Sequence, residues 1–231
     1  MVQSFPRSEA ADSTKVLQKK RAILEAAARV FRREGLHASG MRDIAAESGM
    51  HVGNLYYYFH SKQELLAFCQ KDSLDGLSEI AIKVEELRVC SDTRLALLII
   101  GHFVLLNETR PGSTAHLEVE AVSEPWLPEI KRLRHKYETV FHRVILGGQK
   151  QGVFRQADPE TITLAILGAL NWSAKWYRPQ GKKTAVEIGS EFADYLVGGL
   201  LAEGKALTQP DPDEISQVTR LHLVTLPLVE A

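Results

Sequence analysis

Apolar residues along this chain recur every three or four positions, almost from end to end. That is the period of helices with one buried face, and no alternating strand pattern competes with it except over Leu221–Leu228. In Lys15–Glu34, Ile23, Ala27, Val30 and Phe31 share one face and Arg and Lys take the other. Gly35 stops this helix, with Arg32 and Arg33 in the last turn, where cations suit the free carbonyl groups. Ser39 or Gly40 then caps a short helix, Met41–Ser48, with Met41, Ile44 and Ala45 inward, and Gly49 ends it. A third short helix over 52–59 follows, with Val52, Leu55 and Phe59 at spacings of three and four. Ser61-x-x-Glu64 reads as a capping box opening a long helix.

Beyond residue 66 the pattern predicts helices at about 62–88, 92–108, 112–122, 127–150, 159–177 and 183–203. Ser91-Asp92, Pro111-Gly112, Pro125, Asp158-Pro159 and Pro179-Gln180-Gly181 separate them. The fold class is therefore all-α. The expected units are a flexible polar arm (1–14), a helix-turn-helix domain (15–61), a helical body (62–204) and a loosely held tail (205–231).

Two short helices around a Gly turn, braced by a longer first helix, are the parts of a helix-turn-helix. With Leu55 and Phe59 against the support, His51, Asn54, Tyr57 and Tyr58 face outward, with Tyr56 at the boundary. Phenol hydroxyls donate to phosphate oxygens and rings touch thymine methyls, while Asn54 suits a base edge. Gly53 lets backbone approach the bases, and Lys62 starts the next helix, where an anion is favoured. Exposed tyrosines also mark protein interfaces, so a protein-binding scaffold is the alternative. Salt separates the two, because only DNA binding releases condensed counterions. Charge favours DNA: residues 1–66 carry ten Lys/Arg against seven Asp/Glu, and the remainder eighteen against twenty-two.

The chain from Ile23 through Leu66 resembles the tetracycline-repressor (TetR) family of bacterial regulators. The resemblance lies in AAARVFRREG at 26–35, MRDIAAESG at 41–49 and GNLYYYFHSKQELL at 53–66. It implies DNA contacts at Tyr56, Tyr57, Tyr58 and Lys62, with Ser39, Gly40, His51, Gly53 and Asn54 at or beside contact positions. The family commonly has Ser-Lys where this chain has His51-Val52, His at Tyr58, and Ser or Thr at Gly40. One phosphate-contacting Lys is therefore missing. The resemblance further implies a homodimer, paired through helices at about 159–177 and 183–203, on a pseudo-palindromic double-stranded operator. Matching stripes are Ile162, Ala165, Ile166, Ala169 and Leu170, then Ile188, Phe192, Tyr195, Leu196 and Leu200, although part of each stripe must be intramolecular core.

Residues 168–200, with Asn171-Trp172, Trp176-Tyr177-x-Pro179-x-Gly181 and Phe192-Ala193-Asp194, resemble TetR members whose ligands are often acyl-CoA thioesters or related acids. Such a ligand needs an apolar tunnel and a cationic mouth. Helices 92–108 and 112–122 suit the tunnel, and Lys175, Arg178, Lys182 and Lys183 suit the phosphates. The candidate ligand residues are His102, Phe103, His116, Trp126, Trp172, Lys175, Trp176 and Arg178, against the simpler reading of core aromatics and a solvated basic turn.

The remaining chemistry is sparse. His116-x-Glu118-x-Glu120 lacks a second metal-spaced pair, so no metal is expected, and no cofactor either. Cys69 and Cys90 provide no disulfide framework and read as reduced, partly buried thiols. No nucleophile–base pair or phosphate loop argues for an enzyme. The longest apolar run, Leu95–Leu106, is 12 residues, short of the roughly 20 that span a bilayer, and Met1–Lys20 has no apolar run. A cytoplasmic, ligand-released repressor is the expectation.

Overall fold

In the computed structural model, residues 8–109 and 121–220 are described. Three helices form the amino-terminal head: α1 (Ser8–Glu34), α2 (Met41–Glu47) and α3 (Val52–Tyr58). Ile23, Ala27, Val30, Ile44, Leu55 and Phe59 close its core. Gly49 turns the chain between α2 and α3 at φ +67°, where a side chain would strain the backbone. Arg29 and Arg33 of α1 reach Glu47 at 2.7 and 2.9 Å and fix α2 across the first helix. Helix α1 begins at Ser8, inside the expected arm, so the helical stretch starts earlier than the polar composition suggested.

Helix α4 (Lys62–Glu86) leads straight out of the head into the body. Ser61 Oγ accepts from Glu64 N at 3.1 Å, but the Glu64 carboxylate accepts from His60 N at 2.6 Å, so the capping box is reciprocated one residue early. Helix α5 (Ser91–Val104) is buried on nearly every side and touches α4, α6, α7, α8 and α9. Its closest neighbour is α8 (Ala185–Gly198), where a Cβ on Gly189 would lie 3.3 Å from Ile100 Cα and Phe103 Cβ. The predicted helix 92–108 changes pitch at Leu105 into a π-helical turn, Leu105–Thr109. That turn is tied down from outside. Asn107 Nδ2 donates to Ser173 Oγ at 2.7 Å, and Glu108 accepts from the Tyr177 hydroxyl.

Helices α6 (Leu127–Lys150) and α7 (Pro159–Trp176) complete the layer around α5. On α7, Ile166 and Leu170 face the core, so those members of the expected pairing stripe are intramolecular. Ala165 of that stripe stays exposed, as does Tyr195 of the α8 stripe at 80%, and the large apolar side chains left outside on α7 are Leu164, Trp172 and Trp176. Helix α8 stops at Gly198, short of residue 203, and Leu201 pairs with Phe154 in an isolated antiparallel bridge.

The expected loose tail is in part a helix. Asp211 caps α9 (Pro212–Thr219) by accepting from Glu214 N at 2.8 Å, and Glu214 answers on Asp211 N at 3.0 Å. Val218 is buried against the body, and Thr208 N donates to Asp92 Oδ2 at 2.9 Å. Cys69 is buried, and burial pushes its thiol well up, whereas Cys90 is exposed. The expected helix 112–122 falls mainly on residues 110–120, outside the described residues; His116 and Leu221–Leu228 lie outside them as well. Among the described residues no helix is long and apolar enough to cross a membrane, and no group of three His, Cys, Asp or Glu is placed to hold a metal ion.

Candidate nucleic-acid interface and effector cleft

Helix α3 buries Leu55 and leaves Phe59, just past its end, fully inside. One face of a seven-residue helix is thereby held against α1 and α2, and the opposite face is left to solvent. Tyr57 is 77% and Tyr56 45% exposed, and His51, Gly53 and Asn54 are exposed as well. Tyr58 is half-buried and packs against the core, its ring edge-on to Tyr57 at 5.2 Å. The expected roles of Tyr56 and Tyr58 are thus exchanged: Tyr56 faces out and Tyr58 sits at the boundary. Beside α3 lies a hollow of about 550 Å³, lined by Lys19, Gly49, Met50, His51, Asn54, Tyr57 and Tyr58.

Two expected contact side chains, those of Ser39 and Lys62, turn inward, and Gly40 caps α2. Ser39 is buried, and its hydroxyl donates to Leu36 O at 3.0 Å. The Gly40 N–H donates to Asp43 Oδ2 at 2.8 Å. The Lys62 ammonium donates to Leu36 O and, at 2.6 Å, to Ser39 O. Burial lowers its pKa and Asp43 opposes that shift. Lys62 therefore closes the corner between α1 and α2, with one of its three protons left for a phosphate.

The body contains a cleft of about 200 Å³, open on one side, between α4, α5, α6 and α7. Leu74, Leu164 and Leu167 supply apolar wall, and His102, Arg134, Tyr137, Glu138 and Asn171 supply polar groups. His102 is buried, with Nδ1 3.2 Å from the Tyr137 hydroxyl and Nε2 3.2 Å from Asn171 Oδ1. The Asn171 oxygen can only accept, so Nε2 carries the proton and the tyrosine donates to Nδ1. Burial pushes the His102 pKa down to about 3, so the imidazole is neutral at pH 7.

The other expected ligand residues scatter. Phe103, next to His102 but a hundred degrees around the helix, joins Trp176, Tyr177 and Phe192 at ring separations of 6.0, 5.8 and 5.3 Å. Trp126 caps α6 and is half-buried. Trp172 is 62% exposed, and Lys175 and Arg178 stand exposed at the end of α7. Among the described members of the set, only His102 reaches the cleft. Sequence reasoning missed Arg134, Tyr137 and Asn171, which no spacing singles out because the groups converge from three helices.

A short helix with an exposed hydroxyl-bearing face, propped on two others at the end of a helical body, defines a helix-turn-helix DNA-binding protein. Residues 23–68 match the profile of the bacterial regulatory proteins of the tetR family, and residues 91–200 that of the tetracyclin repressor-like C-terminal domain. The HTH-type transcriptional regulator YfiR of Bacillus subtilis is 30% identical over 149 residues, 59% of this chain and 68% of that protein. The HTH-type transcriptional repressor KstR2 of Mycobacterium tuberculosis is 28% identical over 186 residues, 79% of this chain and 92% of that protein. Its structure, described as a ketosteroid transcriptional regulator, matches with a TM-score of 0.72 at 26% identity, covering 80% of this chain and 96% of that one. AibR in complex with isovaleryl coenzyme A and operator DNA matches with a TM-score of 0.68 at 26% identity, covering 79% and 97%. The chain belongs to the TetR family. It is a DNA-binding transcriptional regulator, and its relatives are regulators rather than enzymes.

Proposed function

We propose that this regulator is a cytoplasmic repressor that leaves its operator when an acyl-CoA thioester or a similar hydrophobic acid enters the body. The observation that carries the reading is the cleft. It is apolar on one wall, and its lining carries the Arg134 guanidinium, the Asn171 amide and a neutral imidazole, which suit a thioester or carboxylate oxygen, together with the Glu138 carboxylate. Lys175, one turn beyond Asn171, and Arg178 supply cations for phosphates. AibR, of the same fold, was captured with an acyl-coenzyme A and operator together. The cleft also touches α4 through Leu74, 12 residues from the helix start at Lys62, or about 18 Å along its axis. A ligand that fits only one setting of α4 shifts the population of head positions.

Two heads are needed to read a pseudo-palindrome, with recognition helices about 34–36 Å apart in simple helix-turn-helix dimers. The apolar side chains left outside on α7 and α8 are the proposed dimer face. Tyr56, Tyr57, His51 and Asn54 are the proposed groove readers, with Tyr58 and Lys62 bracing them.

The test is fluorescence anisotropy on an operator recovered by selecting bound fragments from the host genome. Acyl-CoA thioesters of increasing chain length, and ring-bearing acyl groups, are titrated against free CoA. Release by a subset of thioesters, and none by CoA, is expected. No release at any chain length overturns the effector assignment and leaves operator binding intact.

A further inference from the structure

The cations of the head have different destinations. Arg29 and Arg33 reach Glu47. The Lys20 ammonium lies 5.2 Å from the ring centres of both Phe59 and Phe68, inside the head. Lys62 is turned onto the carbonyls of Leu36 and Ser39. Position 52 is a valine. Lys20, Arg29, Arg33 and Lys62 are therefore committed to holding the head together, while Arg42 on α2 stands exposed.

Lys19 is different. It is exposed and, among the described residues, makes no ion pair. It comes from α1, not from the helix-turn-helix itself, yet it lines the same hollow as His51, Asn54, Tyr57 and Tyr58. That hollow holds an ammonium, an imidazole, an amide and two phenols, and among the described residues no carboxylate lines it. It is an anion cradle on the flank of the helix that must enter DNA. The geometry of the groove says which anion arrives there. A helix with side chains is about 10–12 Å across and the major groove about 12 Å wide, so the flanks of α3 meet the sugar–phosphate walls.

We propose that Lys19 seats a backbone phosphate of the operator in this hollow, beside His51 and the Tyr57 and Tyr58 hydroxyls. The contact extends the DNA footprint from α2 and α3 onto α1. It positions the head on the duplex without reading sequence, as phosphate contacts do. The inference rests on operator binding by the head.

The experiment compares Lys19→Gln, Lys19→Arg and a charge-matched control far from the head, Lys205→Gln. Affinity for operator and for a scrambled duplex is measured between about 50 and about 200 mM salt. For Lys19→Gln, the slope of log affinity against log salt becomes shallower by about 0.9 per head, so the fourfold rise in salt costs about 3.5-fold less per head, or about 12-fold less for a dimer with both heads bound, than in the wild type. The loss at low salt is the same on both duplexes. Lys19→Arg and Lys205→Gln follow the wild type. An unchanged slope in Lys19→Gln, or a loss confined to the operator, overturns the assignment. A melting curve confirms that Lys19→Gln is folded; should it melt early, loss of the wild-type slope in Lys19→Arg overturns the assignment instead. Failure of the wild type to bind any fragment would instead sink operator binding itself.

Discussion

Replacing Lys62 by alanine separates two roles that one residue can play. In the structure its ammonium donates to Leu36 O and Ser39 O, where α1 hands over to α2, and stands 6.0 Å from the centre of the Phe31 ring. Leu36 and Ser39 are both buried. Hydrogen bonds to charged groups contribute about 1.5–3 kcal/mol each, net of the bonds to water they replace. Lys62 is only half-buried, so water satisfies part of what the substitution exposes, and about 2 kcal/mol in total is the reasonable figure. For a protein of this size that lowers the melting temperature by about 4–8 °C. The assay pairs thermal unfolding with operator binding at several salt concentrations, for Lys62→Ala, Lys62→Met and Lys62→Arg. A bracing role predicts that Ala and Met both lower the melting temperature, that Arg does so least, and that DNA affinity falls as the head loosens. A melting temperature equal to wild type, together with a salt slope shallower by about one per head, would show Lys62 to be a plain phosphate contact and refute the reasoning.

Tyr57→Ala should fold normally, because the ring is exposed, and should weaken operator binding at least about tenfold through lost bonds to phosphate; unchanged affinity by anisotropy would move the reading face elsewhere. For His102, the folded imidazole titrates near 3 and the unfolded near 6.5, so the unfolded state binds more protons in between. Stability therefore falls as pH drops from about 6.5 toward 3, by up to about 1.4 kcal/mol per unit, and is unaffected above. Denaturant midpoints for His102→Gln should show a flatter acid limb than wild type, and parallel curves would contradict the buried neutral state. Val218→Asp, which puts a carboxylate where α9 docks, should destabilise the body by several kcal/mol, while an unchanged urea midpoint would return residues 205–220 to the status of a loose tail.

Much of the helical plan was readable because amphipathic stripes and their punctuation are local properties. Leu55 and Phe59 pointed inward as their spacing required. Rotation within that plan was harder to read. A seven-residue helix can turn by tens of degrees without violating its pattern, which is why Tyr56 and Tyr58 exchanged places. His102 and Phe103 were grouped by adjacency, yet neighbouring residues on a helix diverge, and one faces a cleft while the other joins the aromatic cluster on α8. Lys62 and Ser39 looked like surface groups because sequence does not show that two carbonyls lie within reach. The helix α9 was legible and overlooked: Asp211-Pro212-x-Glu214 is an N-cap, a first-turn proline and a box partner, hidden by a run of acids that reads as solvated chain.

The placement of indole rings gives this protein a built-in optical probe. All three tryptophans, Trp126, Trp172 and Trp176, belong to the body, while the head has none. Selective excitation of indole therefore observes only the half of the molecule that does not touch the operator. A change in emission on adding duplex therefore reports that operator binding is felt in the body, and linkage requires that an effector send an equal free energy back the other way.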